Sequence, residues 1–153
     1  MSADKVLVVD DELFVRELLD EYFSKLKFLV DVAESGETAL KLVAENKYNV
    51  ALVDLKMTGL DGLQTLKKIR EIDSEVVVVL MTGYPTVESS IDALRAGAYD
   101  YIVKPFRLNE LKDIVMGALK EHEVRKEIAE LKDKVKRLEE AIKKVGNYTP
   151  TKY

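Results

Sequence analysis

Five short apolar runs, separated by longer stretches of helical periodicity, constrain this chain more than any other feature of its 153 residues. The runs are Val6-Leu7-Val8-Val9, Leu29-Val30-Asp31-Val32, Val50-Ala51-Leu52-Val53, Val76 to Met81 and Tyr99 to Val103. Several are continuously apolar and β-branched, the pattern of strands covered on both faces. Between them, residues 15–26, 37–45, 63–72 and 87–96 repeat apolar positions at helical spacing, and a fifth such segment starts near Leu108. Five strand-then-helix units predict an α/β fold, a parallel sheet with helices on both faces.

Right-handed crossovers leave few ways to connect such units. Five strands fit the flavodoxin-like order 2-1-3-4-5, a known arrangement that the runs do not single out by themselves. In sheets of this kind, sites form beyond the carboxyl ends of the strands, near the point where the order reverses. Polar residues stand at those ends. Asp10 and Asp11 follow the first run, Asp54 the third, Thr82 the fourth, and Lys104-Pro105 the fifth. Asp10, Asp11 and Asp54 are therefore expected to converge on one edge. Three close carboxylates raise one another's pKa unless a cation joins them. Hard oxygen donors in a partly hydrated site suit Mg²⁺. Lys104 adds a positive charge opposite, and Thr82 a hydroxyl. A metal, a lysine and a hydroxyl around one carboxylate make a phosphoryl-transfer site. In such a site the carboxylate oxygen attacks phosphorus while the cations neutralise the phosphoryl oxygens. A single Asp at a strand end usually caps the next helix. The joint placement on four strand ends is what points to chemistry.

Composition removes competing chemistries. The absence of cysteine excludes disulfides, thiolate metal sites and a cysteine nucleophile. A single histidine excludes a poly-histidine metal site and argues against a Ser-His-Asp triad. A net charge of −4 argues against direct nucleic-acid binding by this chain. No apolar run approaches the roughly 18–20 residues of a membrane span. Residues 1–5 lead straight into a strand with no signal-peptide pattern, so the expected location is cytoplasmic.

The chain resembles the receiver domains of bacterial two-component response regulators. Four stretches carry the likeness: Val6-Leu7-Val8-Val9-Asp10-Asp11-Glu12; Leu52-Val53-Asp54-Leu55-Lys56-Met57 with Gly59-Leu60-Asp61-Gly62; Met81-Thr82-Gly83-Tyr84; and Gly97 to Phe106. The resemblance implies that Asp54 accepts a phosphoryl group from the phosphohistidine of a histidine kinase. It implies that Asp10, Asp11, Asp54 and the backbone carbonyl of Lys56 hold Mg²⁺, and that Lys104 pairs with the phosphoryl group. Thr82 becomes the switch hydroxyl and Tyr101 the switch aromatic that turns inward. The Lys104–Pro105 bond is expected to be cis, and the affected surface to be the fourth helix, fifth strand and fifth helix. The family often has proline where Thr58 stands, so the loop after Met57 is expected to be looser. The Lys56 side chain either meets a phosphoryl oxygen, obstructs attacking water, or is simply solvated; Tyr84 faces the same entrance. No turnover of an external substrate is expected, because an aspartyl phosphatase usually carries a second Asp where Lys56 stands.

From residue 120 the character changes. Residues 1–119 hold 21 acidic and 14 basic side chains, whereas the remainder nets +3. The expected organisation is a receiver over 1–119, a coiled-coil helix over 120–145 continuing helix five, and a loose tail over 146–153. Val124, Ile128, Leu131, Val135, Leu138, Ile142 and Val145 alternate spacings of four and three. With Ile128, Val135 and Ile142 at a and the others at d, this heptad favours a parallel homodimer. Parallel pairing sets Glu127 against Lys132 and Lys134 against Glu139, opposite in sign. Each such pair contributes about 0.2–1 kcal/mol, enough to select a partner rather than to set affinity. The competing reading is one amphipathic helix on its own domain, supported by pairs such as Asp133/Arg137. Leu111, Val115, Ala118 and Leu119 do not continue in phase to Val124, so a phase shift is expected near His122, itself expected to be solvated. Residues 82–88 and 97–101 most resemble receivers of the NtrC/DctD type, which regulate sigma-54-dependent transcription and often carry a coiled-coil linker. A downstream output domain or protein, a stand-alone short regulator acting by protein contacts, and a dimerisation module with a vestigial pocket remain open.

Overall fold

Alternation along the strands divides one sheet between two cores. The structure, a computed structural model, describes residues 3–146. Its strands are β1 (Lys5–Val9), β2 (Leu29–Ala33), β3 (Val50–Asp54), β4 (Val77–Thr82) and β5 (Asp100–Val103). Its helices are α1 (Leu13–Lys25), α2 (Gly36–Glu45), α3 (Gly62–Ile72), α4 (Val87–Arg95) and α5 (Leu108–Lys143). All strand pairs are parallel and the order is β2-β1-β3-β4-β5, the flavodoxin-like arrangement expected. Successive strand side chains point to opposite faces. Leu7, Val9, Ala51, Val53, Val78 and Leu80 therefore pack with Ala39 and Val43 of α2, Leu66 and Ile69 of α3, and Ala93 of α4. Val6, Val8, Leu52, Val77, Val79 and Met81 pack with Leu19 and Phe23 of α1 and Leu111, Val115 and Ala118 of α5. Burial of a side chain the size of Leu19 or Phe23 contributes about 1.5–3 kcal/mol.

Local capping fixes where three helices begin. Ser35 accepts from Thr38 N at the start of α2, and Asp61/Gln64 and Thr86/Ser89 form capping boxes on α3 and α4. At the start of α1, Glu12 stands as N-cap with no side-chain bond, so Asp11 is not used as a cap.

The chain divides into two compact units. The first runs through His122 and holds the sheet; the second starts at Glu123. In the second unit the heptad residues are exposed, from 37% at Val135 to 79% at Val145. Asp133 and Arg137 form an ion pair there, 3.3 Å apart. Of the expected loose tail, residues 147–153 lie outside the described residues. No helix among the described residues is long and apolar enough to cross a membrane.

His122 corrects one expectation. It is not a freely solvated side chain: its Nδ1 lies 2.8 Å from the Glu75 carbonyl, which ties α5 to the turn before β4.

Candidate functional site

The parallel register brings the polar residues to one level. Val9 is paired with Val53, Asp54 with Met81, and Thr82 with Val103. Backbone bonds carry the ladder one residue past the strands: Asp10 N to Ala33 O, Leu55 N to Met81 O, and Lys104 N to Thr82 O, at 2.7–3.1 Å. Asp10, Asp54, Thr82 and Lys104 thus meet beyond the carboxyl ends of β1, β3, β4 and β5.

Asp10 is fully buried, and each of its oxygens is engaged. Oδ1 accepts the Glu12 N–H at 2.9 Å, and Oδ2 accepts from Lys104 Nζ at 2.7 Å. Its carbonyl accepts from Arg16 Nη1 at 2.9 Å. Asp54 is also buried, with Oδ1 3.5 Å from Lys104 Nζ. Asp11 is exposed at the rim. Asp10, Asp11 and Asp54 each offer an oxygen within 4.8 Å of the other two. The Lys104–Pro105 peptide is cis.

Electrostatics agree with the geometry. Burial, then the charge of Asp10, pushes the Asp54 carboxyl up to about 6. Lys104 opposes that rise, Asp11 adds to it, and the Lys56 backbone N–H lowers it. Burial also works against the Lys104 ammonium, but the hydrogen bond and charge of Asp10, with Asp54, outweigh it and hold the lysine above its ordinary value. Three carboxylates face one ammonium, so the cluster carries excess negative charge. Its donors are hard oxygens with room at an open rim, the donor set that suits Mg²⁺.

Around this centre lies an open cleft of ≈ 620 Å³ lined by residues that include Asp11, Asp54, Lys56, Tyr84 and Lys104. Thr82 is buried, and its Oγ1 accepts the Tyr84 N–H at 3.0 Å. The Lys56 ammonium sits over the Tyr84 ring, 5.3 Å from its centre, so its side chain spans the entrance to a specific partner. Tyr101 is half-buried, and its hydroxyl lies 2.7 Å from Ser89 Oγ on α4.

Four neighbours of the site were not singled out from sequence. Arg16 sits one turn into α1, Glu12 offers its backbone N–H to Asp10 and its charge to Lys104, and Ser89 resembles no more than a capping residue. The fourth is Glu37, whose Oε1 accepts the Leu60 N–H at 3.0 Å. That bond, first among its causes, holds the Glu37 carboxyl below the usual carboxylate range. The loop after Met57, expected to be loose for want of a proline, is thus tied to α2.

A profile of the response regulator receiver domain matches residues 6–116. Regulatory protein AtoC of Escherichia coli (strain K12) is 42% identical over 130 residues, which cover 85% of this chain and 28% of AtoC. Sporulation initiation phosphotransferase F of Bacillus subtilis (strain 168) is 34% identical over 115 residues, 75% of this chain and 93% of that protein. Among solved structures, NtrX from Brucella abortus superposes with a TM-score of 0.78 at 31% identity, over 85% of this chain and 30% of NtrX. The chain therefore spans under a third of AtoC and of NtrX, and nearly all of the phosphotransferase.

Proposed function

The chain belongs to the response regulator receiver domain family of two-component systems, and on that premise we propose that it is a phosphorylation switch centred on Asp54. The observation that carries this reading is the buried Asp54 carboxylate held between Asp10, Asp11 and the Lys104 ammonium at the meeting of four strand ends. An Asp54 oxygen attacks the phosphorus of a histidine kinase's phosphohistidine. The P–N bond breaks, the imidazole leaves, and an acyl phosphate forms on Asp54. Lys104 turns its charge toward a phosphoryl oxygen. Mg²⁺, which Asp10, Asp11, Asp54 and the Lys56 backbone carbonyl would hold, supplies further positive charge at those oxygens.

The added group brings nearly two negative charges. Thr82 gives up the Tyr84 N–H and donates its hydroxyl to a phosphoryl oxygen. Tyr101, on the neighbouring strand, then leaves Ser89 and turns inward. The element this biases is weakly held, since Ala93 is the buried residue of α4 while Val87, Ile91 and Leu94 are exposed.

The exposed heptad of the second unit takes a second copy of this chain, as a parallel homodimer. The β-branched a residues, the leucines at d and the opposite charges at g and e support that partner. The output is transcriptional regulation through a downstream domain or protein. The AtoC alignment supports this by running 130 residues, beyond the stretch matched by the receiver profile. A stand-alone regulator acting by protein contacts is the second reading, favoured by the near-complete coverage of the phosphotransferase.

Acetyl phosphate with Mg²⁺ tests the first part. The intact mass gains one phosphoryl group in the wild type and none in Asp54→Ala. No gain in the wild type leaves a dimerisation module with a vestigial pocket. Light scattering after size exclusion, with and without Mg²⁺ and beryllofluoride, tests the second. A dimer that changes only in the wild type makes the coiled coil part of the switch. An unchanging dimer moves the output to the face of α4, β5 and α5. A monomer in both states overturns the coiled coil.

A further inference from the structure

We propose that Glu37, on a helix that contributes no group to the acidic pocket, is a positioning residue that holds the β3–α3 loop so that the Lys56 backbone faces that pocket. The inference rests on the reading of the pocket as a Mg²⁺ and phosphoryl site. The loop leaves β3 at Asp54 and enters α3 at Gly62. Its ends are closed on one another by Gly62 N bonding Leu55 O at 2.8 Å, and Leu55 N anchors the first end to β4 through Met81 O, also at 2.8 Å. Residues 56–61 bulge between those points, and Lys56 heads the bulge. The far side of the bulge is where Glu37 acts, through the Leu60 N–H at 3.0 Å.

Three observations make Glu37 a strut rather than a passing contact. Gly59 adopts a φ of +77°, and a Cβ there would lie 2.6 Å from Glu37 Oε1, so the loop backbone is pressed onto the carboxylate. A Cβ at Gly36 would lie 2.3 Å from Thr65 Oγ1 and 2.9 Å from Leu60 Cβ, so the start of α2 packs in close contact with α3 and the loop. Ser35 fixes that first turn by accepting from Thr38 N at 3.1 Å. Thr58 leaves the loop with a rotatable φ that proline would have fixed. The external tie therefore replaces stiffness the local sequence lacks. Groups that orient metal ligands from outside the coordination shell commonly change affinity by about 10–100-fold when removed.

The test measures Mg²⁺ affinity of the whole chain by isothermal titration calorimetry, with amide hydrogen exchange at Lys56 and Leu60 beside it. Glu37→Ala is expected to weaken Mg²⁺ binding roughly tenfold and to speed exchange at both amides. Glu37→Gln keeps an oxygen acceptor and stays within about twofold. Glu37→Asp keeps the charge but withdraws the carboxylate by one methylene, and behaves like the alanine variant. A role confined to the negative charge at the start of α2 gives the reverse, aspartate like the wild type and glutamine like alanine, and overturns the proposal. Wild-type Mg²⁺ affinity in Glu37→Ala overturns it as well. If the alanine variant fails to fold, the glutamine and aspartate pair decides. A wild-type chain that binds no Mg²⁺ overturns the functional reading and this inference together; a wild type that binds, with indifferent variants, overturns this inference alone.

Discussion

The two ends of the sheet hold charged clusters of similar composition and opposite energetic character. Near the amino-terminal ends, the Lys5 ammonium lies 3.2 Å from Asp31 Oδ2 and over the Tyr48 ring, and the Tyr48 hydroxyl donates to Asp31 at 2.6 Å. One cation meets one anion, and the phenol satisfies the remaining demand. At the carboxyl ends, three aspartates meet one lysine, and Asp54 is left with its carboxyl pushed up to about 6. The first cluster is balanced and holds strands together. The second is left with unbalanced negative charge, as functional sites commonly are.

The sharpest way to break that comparison is to remove the cation paired with the buried aspartates of the unbalanced end. In protein freed of divalent ions, Lys104→Met leaves the buried Asp10 and Asp54 without the ammonium that pairs with them. It should destabilise the fold by about 3 kcal/mol in urea unfolding at pH 7. A loss below about 1 kcal/mol means that water already compensates those carboxylates.

Asp54→Asn works in the opposite direction. Because its folded pKa is raised, native Asp54 keeps a proton that the unfolded chain has released. Stability of the metal-free wild type therefore falls as pH climbs from about 4 to about 6, and stays level above that. The asparagine variant lacks this fall and should be more stable than wild type by about 2 kcal/mol at pH 7. Its advantage should vanish below about pH 4. Equal stability at pH 7 would show that the pocket is not strained.

The smallest effect belongs to the balanced end. Tyr48→Phe removes a hydroxyl from Asp31 and should cost about 1 kcal/mol at pH 7. Burial, then the Asp31 bond and charge, hold the Tyr48 phenol above its ordinary value. Its contribution is therefore complete below about pH 10, the value in unfolded chains, and is lost as pH rises further. The phenylalanine variant should lack that alkaline loss. A stabilising Tyr48→Phe would remove the contrast between the two ends.

The residues themselves explain what was legible. Asp10, Asp54, Thr82 and Lys104 could be read because each ends or follows an apolar run, and a parallel sheet places such positions together whatever the loops do. Arg16, Ser89 and Glu37 could not, because their parts depend on which backbone group from a distant segment comes within hydrogen-bond reach. His122 shows the same limit: a lone histidine amid charged residues carries no mark of the Glu75 carbonyl it meets. Within α5, Leu111, Val115 and Ala118 are buried while Ile128 and Leu138 are 45% and 62% exposed, although all are apolar residues at helical spacing. Periodicity identifies an apolar stripe in both stretches, and the partner that covers it is a separate matter.

The sequence by itself determined the α/β alternation, the two-faced strands and the acidic edge. These follow from local periodicity and from the geometry of parallel strands, which depend on the order of residues along the chain. Only the tertiary structure decided that Asp10 is paired with Lys104, that Lys56 crosses to Tyr84, and that α2 braces the loop beyond Asp54. Those contacts are set by angstrom-scale distances between segments far apart in sequence, where a shift of one methylene breaks a hydrogen bond.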